Sequence, residues 1–228
     1  MKKFAIIGLG AFGQSIALAL TEKGAEVIAI DRDMSRVEDI QDYVSVAIRM
    51  DSTDEHTLKS QGIHEVDCAV VCIGEDFESN LLTAVLLKQL GVPRVITRAT
   101  RSIEEKILSS VGIDQVVLPE QEIGEKLAYS LMHPKLKDIF YLSGEFNIVE
   151  LEAPENLLGK TLEELRIRSK YNVNLITIRR SVVETQKDGT EIVRQQILMP
   201  AADTVIQESD ILILFGKKQD IARLAERS

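Results

Sequence analysis

The chain reads as an α/β protein: a Rossmann-like, doubly wound parallel sheet followed by a small α+β C-terminal domain. Three observations predict this. Apolar strand-like runs alternate with helical stretches from residue 1 to about 133. A Gly8-x-Gly10-x-x-Gly13 turn joins the first strand to the first helix. After His133-Pro134 the rhythm changes to strands of antiparallel type.

In the first part the strand-like runs are "KFAIIG", "EVIAID", "SVAIRM", "DCAVVCIG", "RVITRA" and "QVVLP". Their near-continuous apolar character is that of parallel strands covered on both faces. Between them lie "FGQSIALALTEKG", "MSRVEDIQDY", "DEHTLKSQG", "ESNLLTAVLLKQLG" and "SIEEKILSSVG", with "EQEIGEKLAYSLM" after the sixth strand. Gly24, Gly62, Gly91 and Gly112 stand as helix stops. Ser52 to Glu55 and Ser102 to Glu105 have capping-box spacing and are expected to start two helices.

Pro134 restricts the residue before it and ends the helix, so the domains are expected at 1–133 and 139–228, with a linker at 134–138. The second domain should hold strands "IFYL", "FNIVELEAP", "VNLITIRR", "IVRQQILM" and "DILILFG". A capping box from Thr161 to Glu164 opens "LEELRI", Lys187-Asp188-Gly189 marks a hairpin turn, and "KQDIARLAER" is a closing helix.

The bulk numbers narrow the function. With 228 residues the length suits two domains. A net charge of −9 argues against non-specific nucleic-acid binding. The apolar runs are shorter than the ~18–20 residues of a membrane span, and "MKKFAIIG" lacks the core and cleavage site of a signal peptide. A cytoplasmic protein is expected. Cys68 and Cys72 lie four apart on one strand, about 13 Å from each other. That is too far for a disulfide, and core packing is the expectation.

The glycine motif carries the chemistry. Gly8 permits the turn, Gly10 lets backbone approach a phosphate, and Gly13 lets helix pack on strand. The free N–H groups and positive dipole end of the helix attract the phosphate. Asp31 closes the second strand, where an acid accepts bonds from ribose hydroxyls and disfavours a 2′-phosphate. More polar residues follow later strands, where such sheets bind ligands: Asp51, Ser52 and Thr53; then Gly74, Glu75 and Asp76; then Arg98, a cation within reach of a phosphate. Glu120 opens the helix after strand six; it either compensates the dipole or holds a metal beside phosphates. His56, His64 and His133 make no metal-ligand spacing, and from residue 139 on the chain has neither His nor Cys. No nucleophile–base set is evident. A nucleotide sensor is therefore favoured over an enzyme. A small NAD-dependent oxidoreductase is the main alternative, and a nucleotide-binding interaction module unconnected with transport is a third.

The succession "FAIIGLGAFGQSIA", "VIAID", "DSTDE", "LKSQGI", "AVVCIGED", "SNLLTAVLLKQLGV" and "VITRA" resembles the RCK (regulator of potassium conductance) proteins of the Trk/Ktr type, along almost the whole chain. The resemblance implies a TrkA-N domain joined to a TrkA-C domain in a cytosolic gating subunit. Such subunits assemble from dimers into rings, commonly octamers, on a membrane potassium-translocating subunit of the TrkH/KtrB type, peripheral to the inner face of the membrane. They bind AMP, ADP, ATP or NAD(H), and the nucleotide shifts the ring between conformations.

Carried over by position, the resemblance implies that Gly8, Gly10 and Gly13 hold phosphates and Asp31 the ribose, with Leu9, Ala11, Phe12 and Arg32 in the same nucleotide site. Asp51, Ser52 and Thr53 lie by the adenine. Ile73, Gly74, Glu75 and Asn80 belong to the same site, and Arg98 replaces a frequent lysine near the phosphates. Glu120 matches a glutamate that helps hold a divalent cation, Mg or Ca. "IRSKYNVNLITI" resembles the segment that binds cyclic di-AMP in some members, with contacts at Arg168, Asn174, Leu175 and Pro200. Ala11 departs from the family. Ktr members commonly carry an arginine there that reaches the terminal phosphate of ATP, so this chain is expected to distinguish ATP from ADP poorly, or to favour AMP, ADP or NAD(H).

Overall fold

The computed structural model describes residues 1–132, 136–143, 145–185 and 190–226, in two compact units, Met1–Ile123 and Gly124–Ser228. His133, Pro134 and the expected Lys187-Asp188-Gly189 turn lie outside the described residues.

The first unit is the Rossmann-like sheet. β1 (Lys3–Ile7), β2 (Glu26–Asp31), β3 (Val46–Arg49), β4 (Cys68–Val71), β5 (Val95–Arg98) and β6 (Gln115–Val117) pair in parallel in the order β3-β2-β1-β4-β5-β6. Alternate residues of each strand feed opposite faces. Ala5, Ile7, Ile28 and Ile30 join one core with Leu58, Leu87 and Leu108. Ile6, Val27, Ala29, Cys68, Val70 and Cys72 join another with Ala17 and Val37. Both faces are covered, which is why the strands read as unbroken apolar runs. Both cysteines are free and buried, as expected.

The helices are α1 (Ala11–Glu22), α2 (Met34–Ile40), α3 (Glu55–Ser60), α4 (Phe77–Gln89), α5 (Ser102–Ser110) and α6 (Pro119–Met132). The chain leaves α1, α3, α4 and α5 through the four glycines expected as stops, all with positive φ. Two helix starts differ from expectation. α3 is capped by Asp54, whose carboxylate accepts the His56 N–H at 3.1 Å. Ser52, expected in that role, is buried instead and bonds the Thr83 hydroxyl at 2.9 Å. α5 uses Glu104 in place of Glu105, accepting the N–H groups of Thr100 and Arg101 at 2.9 and 3.3 Å.

The second unit is an antiparallel sheet of order β10-β9-β11-β8-β7. Its strands are β7 (Leu136–Ser143), β8 (Phe146–Glu152), β9 (Val173–Thr185), β10 (Glu191–Leu198) and β11 (Asp210–Lys217). β7 begins inside the segment 134–138 expected as linker, and β9 outruns "VNLITIRR". The Thr161–Glu164 capping box forms as expected and opens α7 (Leu162–Leu165). A short helix not foreseen, α8 (Ile167–Tyr171), occupies "IRSKY" between two residues of left-handed backbone, Arg166 (φ 46°) and Asn172 (φ 58°). α9 (Lys218–Glu226) lays Ile221 and Leu224 into the core beside Leu212, Leu214 and Val173.

Candidate functional site: the nucleotide pocket

At the C-terminal ends of the first unit's strands lies a cavity of about 550 Å³. It opens where the connections from β1 and β4 run to opposite sides of the sheet, the position at which open α/β sheets bind ligands.

The glycine turn forms one wall. Gly8 has φ +93°, and a Cβ there would meet the Cys72 carbonyl carbon at 3.0 Å. A Cβ on Gly13 would stand 1.9 Å from the Gly8 carbonyl oxygen, so α1 reaches the strand this closely only as glycine. Gly10 differs: nothing lies within 4 Å of its absent Cβ, and the residue lines the cavity. Gly10 also caps α1 without any side-chain bond, and no acid stands in the first turn. The helix N-terminus therefore offers uncapped N–H groups to an anion.

Asp31 forms the second wall and is buried. Its two oxygens accept the Leu9 N–H at 2.7 Å and the Asp33 N–H at 2.9 Å. Arg36 Nη1 stands 3.6 Å from Oδ2. These bonds fix the carboxylate and leave lone pairs for further donors. Arg32 lines the cavity nearby. Asp51 accepts both the N–H and the hydroxyl of Thr53, bonds that hold its carboxyl below the usual range. The Asp76 carboxylate caps α4, and the Ser79 hydroxyl at 2.6 Å keeps it ionised further into acid.

Arg98 closes the floor. Its guanidinium packs so near Gly74 that a Cβ there would meet Nη1 at 2.8 Å, and Cζ stands 5.9 Å from the Phe12 ring centroid. Nη2 lies 2.5 Å from Glu120 Oε1 on the first turn of α6, while the buried Nε has no partner among the described residues. Arg98 is 20% exposed and Glu120 63%.

Of the residues expected at this site, Gly8, Gly10, Ala11, Asp31, Arg32 and Asp51 line the cavity, as do Ser52, Ile73, Gly74, Glu75 and Arg98. Five do not. Leu9 is buried in the core and contributes its N–H to Asp31. Phe12 turns to the other face, Gly13 is the contact with the strand, and Thr53 serves Asp51. Asn80 is a strut: its Nδ2 donates to the carbonyls of Ile73 and Arg98 at 2.8 and 2.7 Å, and its Oδ1 takes the Thr97 hydroxyl. Arg36, Ser79 and Thr100 line the cavity without having been foreseen. Arg36 was the legible one, an arginine one helical turn beyond the Asp31 strand end.

Among the described residues no cluster of three or more His, Cys, Asp or Glu forms a metal site, so Glu120 would need phosphate oxygens to complete a coordination shell. In the second unit, Arg168, Asn174, Leu175 and Pro200 line one groove of about 850 Å³.

A Rossmann-like unit with an uncapped glycine turn, followed in the chain by a small antiparallel unit, defines a nucleotide-site protein with an appended second domain. The TrkA-N domain model matches residues 4–119 and the TrkA-C domain model residues 148–228. The chain belongs to the Ktr potassium-uptake family. It is 39% identical over 226 residues to the Ktr system potassium uptake protein C of Bacillus subtilis, covering 99% of this chain and 97% of that one. It is 35% identical over 222 residues to the Ktr system potassium uptake protein A of the same organism, covering 97% and 95%. The solved GsuK channel bound to NAD shares the fold at a TM-score of 0.64 and 16% identity, over 98% of this chain; this chain spans 38% of that one.

Proposed function

We propose that this chain is the nucleotide-binding regulatory subunit of a membrane potassium transporter of the Ktr type. In this reading it assembles as a ring, an octamer built from dimers, on the cytoplasmic face of the translocating subunit, and the ligand moves the ring between conformations. The observation that carries the reading is the cavity itself: the uncapped start of α1, the open face of Gly10 and Arg98 line one space. Similarity along nearly the full chain to potassium uptake proteins favours regulation over an oxidoreductase.

The residues fit an adenine nucleotide or NAD(H). Gly10 leaves room for a phosphate, Asp31 faces a ribose, and Arg98 has a buried Nε still to be satisfied. Arg98 is the responsive element. With no ligand it holds Glu120; with a phosphate in the cavity it would exchange that carboxylate for the phosphate, leaving Glu120 to a divalent cation. α6 begins at this contact and continues into the second unit. A ligand shifts such an equilibrium only by binding one arrangement better, and the Arg98 exchange supplies that difference.

The test is potassium flux in vesicles containing the cognate translocating subunit, with and without this chain and each of AMP, ADP, ATP and NAD(H). Flux that responds to nucleotide only with the chain present supports the reading; indifference to both removes it.

A second ligand is favoured by one further observation. The four residues carried over for cyclic di-AMP share a single groove of the second unit. Titration of the purified chain with cyclic di-AMP, alongside Arg168→Ala, tests this.

A further inference from the structure

Arg166 is the residue of the second unit whose backbone has no local justification. It ends α7 and begins α8 with φ 46° and ψ 45°, a left-handed conformation ordinarily held by glycine or asparagine. Asn172, at the other end of α8, is such an ordinary occupant. An arginine at this turn forgoes stability that either residue would provide.

What the arginine provides is placement. Arg166 lines the same groove as Arg168, and among the described residues neither guanidinium is held by an ion pair or hydrogen bond. Glu163 is the carboxylate on that rim, so two cations face one acid. The rest of the wall is mixed: Ile167, Leu175 and Pro200 are apolar, Asn174 carries an amide, and the Asn172 amide donates to Asp220 at 2.9 Å. Two free guanidinium groups beside apolar surface and amides match a ligand with two phosphodiesters and flat, hydrogen-bonding bases.

We propose that Arg166 is a phosphate-binding residue of this groove, retained in left-handed backbone because that turn presents its guanidinium beside Arg168. The proposal rests on the reading of the groove as a cyclic dinucleotide site and extends it to a residue outside the four carried over.

The experiment is calorimetric titration of the full chain with cyclic di-AMP, for the wild type, Arg166→Asn and Arg166→Lys, with thermal unfolding of each. Asparagine tolerates the left-handed turn but carries no charge. Arg166→Asn is expected to unfold at the same or a higher temperature and to bind at least about tenfold more weakly. Arg166→Lys should retain part of the affinity. Binding by Arg166→Asn within twofold of wild type overturns the proposal and leaves the groove reading standing. Weaker binding together with a lower unfolding temperature also overturns it, since Arg166 would then be holding the turn. A wild-type chain that does not bind cyclic di-AMP removes the groove reading and this proposal with it.

Discussion

Arg98 and Glu120 lie 22 residues apart in the chain and meet at 2.5 Å between Nη2 and Oε1, joining the end of β5 to the first turn of α6. The pair is half in water, since Glu120 is largely exposed. An ion pair of this kind is worth about 0–1 kcal/mol. That is weak enough for a phosphate to displace and strong enough to bias Arg98 without one.

Glu120→Gln removes the carboxylate that competes for Arg98. Without divalent cation the variant should bind ADP as tightly as wild type or up to about fivefold more tightly. The gain in affinity on adding Mg should shrink or vanish. Titrations with and without chelator measure both. A variant with the wild-type Mg dependence would remove Glu120 from cation binding.

Ala11 offers neither charge nor side-chain donor to a terminal phosphate. Wild-type protein should prefer ATP over ADP by less than tenfold. Ala11→Arg should raise that ratio by about ten- to a hundredfold, from a charge-assisted contact of about 1.5–3 kcal/mol. Competition titrations of the two nucleotides decide it, and an unaltered ratio in the variant counts against a phosphate-reaching role at this position.

Two glycines of one motif should fail in different ways. In Gly13→Ala the new methyl would meet the Gly8 carbonyl oxygen at 1.9 Å, so backbone must move. A loss of about 1–3 kcal/mol or more follows. Gly10→Ala meets nothing within 4 Å and should leave the unfolding temperature nearly unchanged while weakening nucleotide binding. Unfolding curves and titrations of the two variants form a single comparison; equal losses of stability would contradict it.

Glu104 gives a pH dependence with a defined sign. Burial pushes its carboxyl up, but the Thr100 N–H, the Arg101 guanidinium and the Thr100 hydroxyl outweigh that and hold it at about 2. An unfolded glutamate titrates near 4.3. The folded value is depressed, so this stabilisation is complete above about pH 4.3 and is lost as pH falls toward 2. The stability difference between wild type and Glu104→Gln should therefore narrow across that window. Urea unfolding at several pH values measures it, and a constant difference would contradict the assignment.

Much of the fold was legible because its signals are local. Alternating apolar runs gave the strands, and glycines past the last turn gave the helix stops. The Thr161–Glu164 box forms because both partners lie within one turn. The same spacing misled at Ser52. Its hydroxyl finds Thr83 across the core, and Asp54 takes the cap. α8 escaped notice because it is five residues long and set between left-handed residues that carry no glycine.

The site divides along the same line. The glycine turn and Asp31 were readable from spacing, since strand, turn and helix are consecutive and their geometry follows from the chain itself. Tertiary structure alone decided the sheet order β3-β2-β1-β4-β5-β6, which sets β4 beside β1 and makes the cavity. It likewise turned Asn80 into a strut between Ile73 and Arg98 and brought Glu120 onto Arg98. Arg98 lies 18 residues from Asn80 and 22 from Glu120, on elements other than theirs. No local period relates them; packing of the helices on the sheet does.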